Sequence, residues 1–221
     1  MLLSAHQPAY LPWPGYFDKI ARSDLFVYLD SVQYEKNSFI NRNRIKTSQG
    51  SHWLTIPVAT KGHFSSTLAH TLIDANVAWK RKHVKALEHA YSKAPAYDRI
   101  MPFVSQLIGL DELNLSEYLY QHLVSWCGLL GISTPIIRAS TLSLVGSKSD
   151  LILELCRQLG ATCYLSGAHG RNYLCADDFA TFGIDVDYQD YVPPVYRQLW
   201  GDFIPCLSMV DLCMNGVYWP C

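Results

Sequence analysis

The sequence predicts an α/β fold with a mostly parallel sheet, flanking helices and a helical insertion around residues 74–130. Short apolar strands alternate with amphipathic helices at both ends of the chain, and a purely helical stretch separates these two regions. The chain has 221 residues, 49% hydrophobic and 17% charged, which is enough apolar material for a large core. We expect a single domain over residues 1–221.

The first half of the chain begins with a β-α-β pattern. Residues 2–5 form an apolar run, residues 15–22 have helical spacing, and residues 25–30 are rich in β-forming side chains. Such units are usually parallel, and ligands bind beyond the carboxyl ends of their strands. Residues 34–50 are predicted to be a polar loop, and residues 51–58 a third strand.

The α/β alternation returns after the helical insertion. Residues 134–140 and 161–167 are predicted strands, separated by a helix that Ser149 is expected to cap and Gly160 to end. The remaining predicted elements are a short helix, an alternating strand and a late helix, at residues 177–183, 184–191 and 207–216.

The charge balance excludes some classes of protein. Eighteen basic residues against 19 acidic ones give a net charge of -1, whereas a nucleic-acid coat protein needs a basic excess. The sequence contains no apolar run of about 18 residues, so no membrane span is predicted. The first ten residues lack the core of a signal peptide, which predicts a soluble, cytoplasmic protein.

The cysteines predict neither a disulfide framework nor a metal site. Their number is seven, no pair has C-x-x-C spacing, and no His/Asp/Glu cluster has ligand spacing. We therefore expect reduced thiols that are mostly buried. Cys156 lies on an apolar helix face and is expected to be structural; as a nucleophile it would need an exposed thiolate and a nearby base.

The strongest functional signal is the loop HQPAYLPWPGYF at residues 6–17, in which prolines restrict the backbone between polar and aromatic side chains. It predicts a ligand pocket, the alternative being a rigid turn packed by its own aromatic rings. His6 is the candidate general acid or base. Gln7, Asp30 and Gln33 follow neighbouring strand ends, so Asp30 and Gln33 are expected to orient His6 or the acceptor.

Two further segments carry candidate binding residues. The basic run from Asn41 to Lys46 suits an anion, with a solvated loop as the alternative reading. The second segment follows a predicted strand, where small residues allow close approach of the backbone to a ligand. The residues assigned to binding in these segments and in the tail are Tyr10, Asn41, Arg42, Asn43, Lys46, Ser166, Gly167, Arg171, Tyr191 and Gln198.

Six motifs extend this reading from end to end of the chain. They are HQPAYLPWPGYF, LFVYLDSVQYEKNSFINRNRIK, HWLTIPV, LCRQLGATCYLSG, GIDVDYQDY and PPVYRQLWGDFIPCLSMVDLCMNG. In these motifs the chain resembles the WbqC-like family of bacterial proteins. The resemblance implies a place in surface-polysaccharide or natural-product biosynthesis and a glycyl or other aminoacyl transfer activity. The matched positions are His6, Gln7, Tyr10, Asp30, Gln33, Asn41, Arg42, Asn43, Ser166, Gly167, Tyr191 and Gln198.

A looser resemblance concerns the first strand, loop and helix, which look like the opening unit of the nucleotidylyltransferases. In that superfamily two histidines after the first strand hold nucleotide phosphates, whereas this chain has His6 and then Tyr16. The resemblance implies phosphate binding, and the replaced histidine argues against adenylyl chemistry.

The leading hypothesis is an acyl or aminoacyl transferase that forms an amide or ester on a small-molecule or sugar-nucleotide acceptor. His6 would take the acceptor's proton, and backbone N–H groups at Ser166–Gly167 would face the oxyanion. The donor would be an adenylate made from ATP, an acyl thioester that a carrier protein can supply, or an aminoacyl ester. The alternatives are a non-catalytic binding or scaffold module and a nucleotidyl-transferring enzyme. The sequence does not specify the oligomeric state.

Overall fold

The computed structural model describes residues 1–59 and 67–217. The strands in these residues are β1 (Leu2–His6), β2 (Leu25–Tyr28), β3 (Arg42–Thr47), β4 (Gly50–Thr55), β5 (Ile136–Arg138), β6 (Cys163–Ser166) and β7 (Asp185–Tyr188). Five of them form one sheet in the spatial order β5-β2-β1-β6-β7, and all four neighbouring pairs are parallel. The predicted α/β class is therefore confirmed.

The helices connect these strands and form the insertion. They are α1 (Pro14–Ala21), α2 (Trp79–Tyr91), α3 (Tyr97–Gly109), α4 (Leu115–Leu129), α5 (Lys148–Leu159), α6 (Ala176–Ala180) and α7 (Met209–Met214). The helical insertion predicted around residues 74–130 consists of α2, α3 and α4. No helix in the described ranges has the length and apolar character that a membrane span requires.

Side chains alternate between two cores, one on each face of the sheet. Phe26 and Tyr28 of β2 pack with α1, the insertion helices and α7, whereas Val27 packs on the opposite face with α5 and α6. This alternation follows from the two-residue period of a strand. The sheet is thus covered by helices on both faces, as purely parallel sheets usually are.

The segment from residue 34 to residue 58 differs from its prediction. The expected loop contains β3, and the expected third strand is β4, which pairs antiparallel with β3 in a separate two-stranded sheet. The two-residue period of β3 was hidden because its buried side chains include Asn43 and Lys46, which are polar, beside Ile45. Hydrogen bonds replace apolar burial at these polar positions, so a hydrophobicity pattern misses the strand.

The start of α5 also differs from its prediction. Ser147 rather than Ser149 precedes the helix, and the Ser147 side chain makes no capping hydrogen bond. Ser149 lies inside the first turn, where its hydroxyl accepts a hydrogen bond from the Cys175 N–H at 3.0 Å. The predicted end at Gly160 is confirmed, because Gly160 adopts a left-handed conformation with φ 68°.

Candidate functional site

The strand order reverses beside β1, and this reversal places the site. The chain builds β2 and β5 on one side of β1 and then crosses to add β6 and β7 on the other side. In open parallel sheets, ligands bind outside the carboxyl ends of the strands at such a switch point. A cavity of about 1250 Å³ opens there, and its wall includes His6 and Gln7 after β1 and Ser166 and Gly167 at the end of β6.

The His6 ring is held in one orientation at the end of β1. Its Nδ1 lies 2.9 Å from the Gln7 carbonyl oxygen, which can only accept a hydrogen bond, so Nδ1 carries the proton and Nε2 keeps its lone pair. The rings of Trp13 and Tyr16 contact it edge-on, with centroids at 5.5 and 4.8 Å. Burial, with a smaller effect of the Lys19 charge, lowers the pKa of His6 from 6.5 to about 3. The imidazole is therefore neutral at physiological pH.

Lys19 of α1 is a second titratable residue of this cavity. Its side chain lies in the cavity wall although the residue is only 3% exposed, and its Nζ donates a hydrogen bond to the Ala5 carbonyl at 2.9 Å. None of the ion pairs among the described residues involves Lys19. Burial lowers the pKa of Lys19 from 10.5 to about 7. An amine that is this deeply buried without a carboxylate partner is a typical feature of a functional site.

Two glycines allow the cavity walls to approach each other closely. A Cβ on Gly170 would lie 1.9 Å from the Ser166 Oγ, so only glycine lets the short 3-10 helix at 168–172 pack on the end of β6. A Cβ on Gly15 would lie 2.9 Å from the Tyr191 Cδ1, at the place where the tail passes over α1. A larger side chain at position 170 or 15 would therefore displace Ser166 or Tyr191, which both belong to the cavity wall.

The first turn of α5 forms another part of the wall. Gly146, Ser147 and Lys148 all line the cavity, and Gly146 and Lys148 have positive φ angles of 92° and 51°. The unpaired N–H groups of a first helical turn are hydrogen-bond donors for an anion. The Ser147 hydroxyl makes no capping bond, but the Ser147 carbonyl accepts hydrogen bonds from the Asp150 and Leu151 N–H groups. The donors of this turn that remain for an anion are the N–H groups of Lys148 and Ser149.

An aromatic wall lies beside His6. The Trp13 ring contacts the rings of both His6 and Phe39, at centroid distances of 5.5 and 5.3 Å. Tyr191 and Arg44 also line the cavity, and both have a buried polar atom (the Tyr191 hydroxyl oxygen and the Arg44 Nε) without a hydrogen-bond partner in the described structure. Burial raises the pKa of Tyr191 to about 12, so its hydroxyl is protonated.

The structure brings some of the predicted site residues to this cavity and leaves others elsewhere. The residues that line it are His6, Gln7, Gln33, Ser166, Gly167 and Tyr191. The predicted residues that do not line it are Tyr10, Asp30, Asn41, Arg42, Asn43, Lys46, Cys156, Arg171 and Gln198.

Asp30 contacts the loop after β5 rather than His6. Its carboxylate accepts hydrogen bonds from the Ser140 N–H at 2.8 Å and the Ser140 hydroxyl at 2.7 Å, which joins the ends of β2 and β5. Tyr10 is equally removed from the cavity, because its hydroxyl lies 2.9 Å from the His83 Nδ1 in the core of the insertion. The structure therefore gives Asp30 no direct contact through which it would orient His6.

The basic run from residue 41 to residue 46 does not converge on an anion site. The amides of Asn41 and Asn43 donate to the carbonyls of Ile56 and Leu11, at 2.8 and 2.7 Å, and so attach the hairpin to its surroundings. The Arg42 guanidinium lies 4.4 Å from the centre of a tryptophan ring of β4. Arg44 belongs to this run but is not among the residues assigned to binding above, and it is the member of the run that reaches the cavity.

Lys46 and Gln198 belong to a buried network that holds the tail. The Lys46 Nζ donates to the Gln198 Oε1 at 3.1 Å and to the Asp202 carbonyl, and the Gln198 Nε2 donates to Asp211 at 2.9 Å. Arg171 lies outside the cavity wall, with its guanidinium 4.1 Å from the centre of the Tyr188 ring. These side chains support the fold near the site and do not line it.

Cys156 is fully buried among apolar side chains between the sheet and α5. Burial raises the pKa of its thiol from 9.0 to about 12, so the thiolate that a nucleophile requires is disfavoured. Cys127 and Cys213 are buried in the same way, whereas Cys175 and Cys206 are exposed. Cys221 lies outside the described residues. The structural role expected for Cys156 agrees with this geometry.

Lys19 is the main residue that sequence reasoning missed. It lies in a correctly predicted helix, but a single lysine between aspartate and isoleucine looks like part of a solvated face. A signal was present in its spacing, because Lys19 lies one helical turn after Gly15 and therefore on the same side of α1 as the first loop. What the sequence could not show is that β6 lies next to β1 and closes the crevice around Lys19.

Comparisons with known proteins place the chain in a family. The model of the WbqC-like protein family matches residues 7–217. An uncharacterized protein of Mycobacterium tuberculosis is 41% identical over 212 residues, which is 95% of this chain and 91% of that protein. No solved structure matches the chain at a significant level. The match over nearly the whole chain shows that the protein belongs to the WbqC-like protein family.

Proposed function

We propose that this protein is an acyl or aminoacyl transferase that uses the switch-point cavity to form an amide on an amine of a small-molecule or sugar-nucleotide acceptor. The observation that carries the proposal is the state of His6. Its ring is neutral, its Nδ1 is occupied by the Gln7 carbonyl, and its side chain lines the cavity. A histidine held in this way is prepared to accept a proton at Nε2.

The low pKa of His6 favours an amine over a hydroxyl as the acceptor. A base whose pKa is about 3 is too weak to deprotonate an alcohol appreciably. An amine can attack without prior deprotonation, and its nitrogen becomes acidic as it bonds to the carbonyl carbon. An amine therefore demands less of a weak base than a hydroxyl does, and for this reason we propose an amide as the product.

The proposed reaction is a direct transfer. The acceptor nitrogen bonds to the carbonyl carbon of an activated donor, and the bond from that carbon to the leaving sulfur or phosphate oxygen breaks. The amine proton moves to His6 Nε2 and then to the leaving group. Gly167 has no side chain at the end of β6, so the backbone there is our candidate for stabilising the oxyanion.

Product analysis by mass spectrometry tests this proposal. The purified protein is incubated with a uridine diphosphate amino sugar and two sets of donors: glycine with ATP, and a series of acyl-coenzyme A thioesters. We expect the acceptor to gain the mass of one glycyl or acyl group, and His6→Asn to lower the rate by about 10²–10⁴-fold, the usual contribution of a general base.

The control is His89→Asn, which changes an exposed histidine on α2 that is remote from the cavity wall. It should transfer at the wild-type rate. If no donor gives a product although the ligands bind, the protein is better described as the non-catalytic binding module. If His6→Asn transfers as fast as His89→Asn, His6 is not the base.

A further inference from the structure

The charges in the cavity wall are unbalanced. Lys19, Arg44 and Lys148 line it, whereas Glu35 is the only carboxylate residue among the lining side chains in the described structure. Lys19 is the most deeply buried of these cations, and its one hydrogen bond goes to a neutral carbonyl. A buried amine without an opposite charge is costly, and an anionic ligand would offset that cost.

The excess of positive charge lies where backbone donors also face the cavity. An ideal Cβ on Gly167 would lie 4.0 Å from the Lys19 Nζ, so the amine is adjacent to the end of β6. The wall of the same cavity includes Gly146 and Ser147 at the start of α5, a helix of 12 residues without a side-chain cap. A diphosphate has enough oxygen atoms to use both kinds of donor.

A second feature distinguishes this cavity from a plain anion site. Trp13 and Phe39 form an aromatic wall in it, and the Phe39 side chain is 41% exposed. Exposed aromatic rings of this kind stack on nucleic bases with little preference among them. The cavity volume of about 1250 Å³ exceeds what a phosphate alone would fill and leaves room for a second substrate.

We propose that the cavity binds a nucleoside diphosphate moiety, with its phosphates between Lys19 and the first turn of α5 and its base against Trp13 and Phe39. This moiety is shared by ATP, coenzyme A thioesters and sugar nucleotides, and it would identify one substrate of the proposed transferase. The inference rests on the cavity of the proposed function, but it concerns binding and does not require turnover.

Isothermal titration of the full chain with ADP, UDP, pyrophosphate and adenosine tests the proposal. ADP and UDP should bind, pyrophosphate should bind more weakly, and adenosine alone should bind weakest. Lys19→Met should lower the affinity for ADP, UDP and pyrophosphate by at least about tenfold. Lys85→Met, which removes an exposed lysine of α2, should change none of these affinities. Lys148→Met serves as a second variant at an exposed position and should also lower the affinity for all three phosphate-containing ligands.

The base position is tested separately with Phe39→Ala. This change should lower the affinity for ADP and UDP but leave the affinity for pyrophosphate unchanged, because stacking acts on the base alone. Titrations with ATP, coenzyme A and a uridine diphosphate sugar then show which source the cavity prefers. Equal affinities in Lys19→Met and Lys85→Met, or no binding of ADP and UDP, would overturn the inference. Transfer activity in the absence of nucleotide binding would leave the proposed function standing and remove only this ligand class.

Discussion

Lys19 is expected to give the protein a pH dependence of stability that methionine at this position would remove. The pKa of the buried amine is lowered from 10.5 to about 7, because burial disfavours its charged form. In the unfolded chain the amine regains its ordinary pKa. Between these two values the unfolded state binds more protons than the folded state, so the free energy of unfolding rises as the pH rises.

The size of this effect follows from the two pKa values. One pKa unit corresponds to about 1.4 kcal/mol, so burying the ammonium form well below pH 7 costs on the order of 5 kcal/mol. From about pH 7 to about pH 9, Lys19 should add about 2 kcal/mol to the free energy of unfolding of the wild-type protein. In Lys19→Met this gain should be absent. At about pH 7 the variant should be the more stable protein, even after losing a hydrogen bond worth about 1 kcal/mol.

Urea unfolding followed by tryptophan fluorescence, at several values between about pH 7 and about pH 9, measures the two free energies. Buried thiols such as Cys127, whose pKa is raised to about 12, lower the stability of both proteins as the unfolded chain ionises, so the difference between them isolates Lys19. A difference that does not change with pH would refute the reasoning. So would a variant that is less stable than the wild-type protein at about pH 7.

Three further predictions concern the surroundings of the site. Gly170→Ala should lower the free energy of unfolding by about 1–3 kcal/mol through overpacking, whereas Gly128→Ala in α4, where a Cβ meets nothing within 4 Å, should not; urea unfolding of both variants decides the point. Asp211→Asn should cost about 2–4 kcal/mol, because its buried carboxylate accepts three hydrogen bonds, and a melting temperature equal to that of the wild type would contradict this. A thiol reagent should label the exposed Cys206 in the native protein far faster than Cys156, as peptide mapping can show; equal rates would contradict the burial of Cys156.

Most of the fold was predictable because its signals are local. Apolar runs at β1 and β2, the helical periodicity of the insertion and the glycine that ends α5 each depend on neighbouring residues. The hairpin of β3 and β4 was not predictable in the same way. Asn43 and Lys46 are buried in it through hydrogen bonds to Leu11 and Gln198, residues far away in the sequence, and a hydrophobicity pattern carries no information about such partners.

The same distinction between local and long-range signals applies to the candidate site. His6 follows the predicted strand at residues 2–5, and Ser166 lies in the last two residues of the one at 161–167. Parallel strands that end at one edge of a sheet bring such residues together, so their shared position was predictable. The predicted anion-binding residues Asn41, Arg42 and Lys46 do not line the cavity. The hairpin directs their side chains toward a carbonyl, a tryptophan ring and the tail instead.

The sequence by itself determined the α/β class, the helical insertion and the approximate places of the five strands of the parallel sheet, since periodicity and turn residues act over a few neighbours. Only the tertiary structure decided which strands are neighbours. By placing β6 beside β1, it formed the cavity in whose wall Lys19 is buried and His6 is half-buried, and this burial lowers the pKa of both groups. Desolvation depends on every residue that surrounds a group, and these residues come from distant parts of the chain.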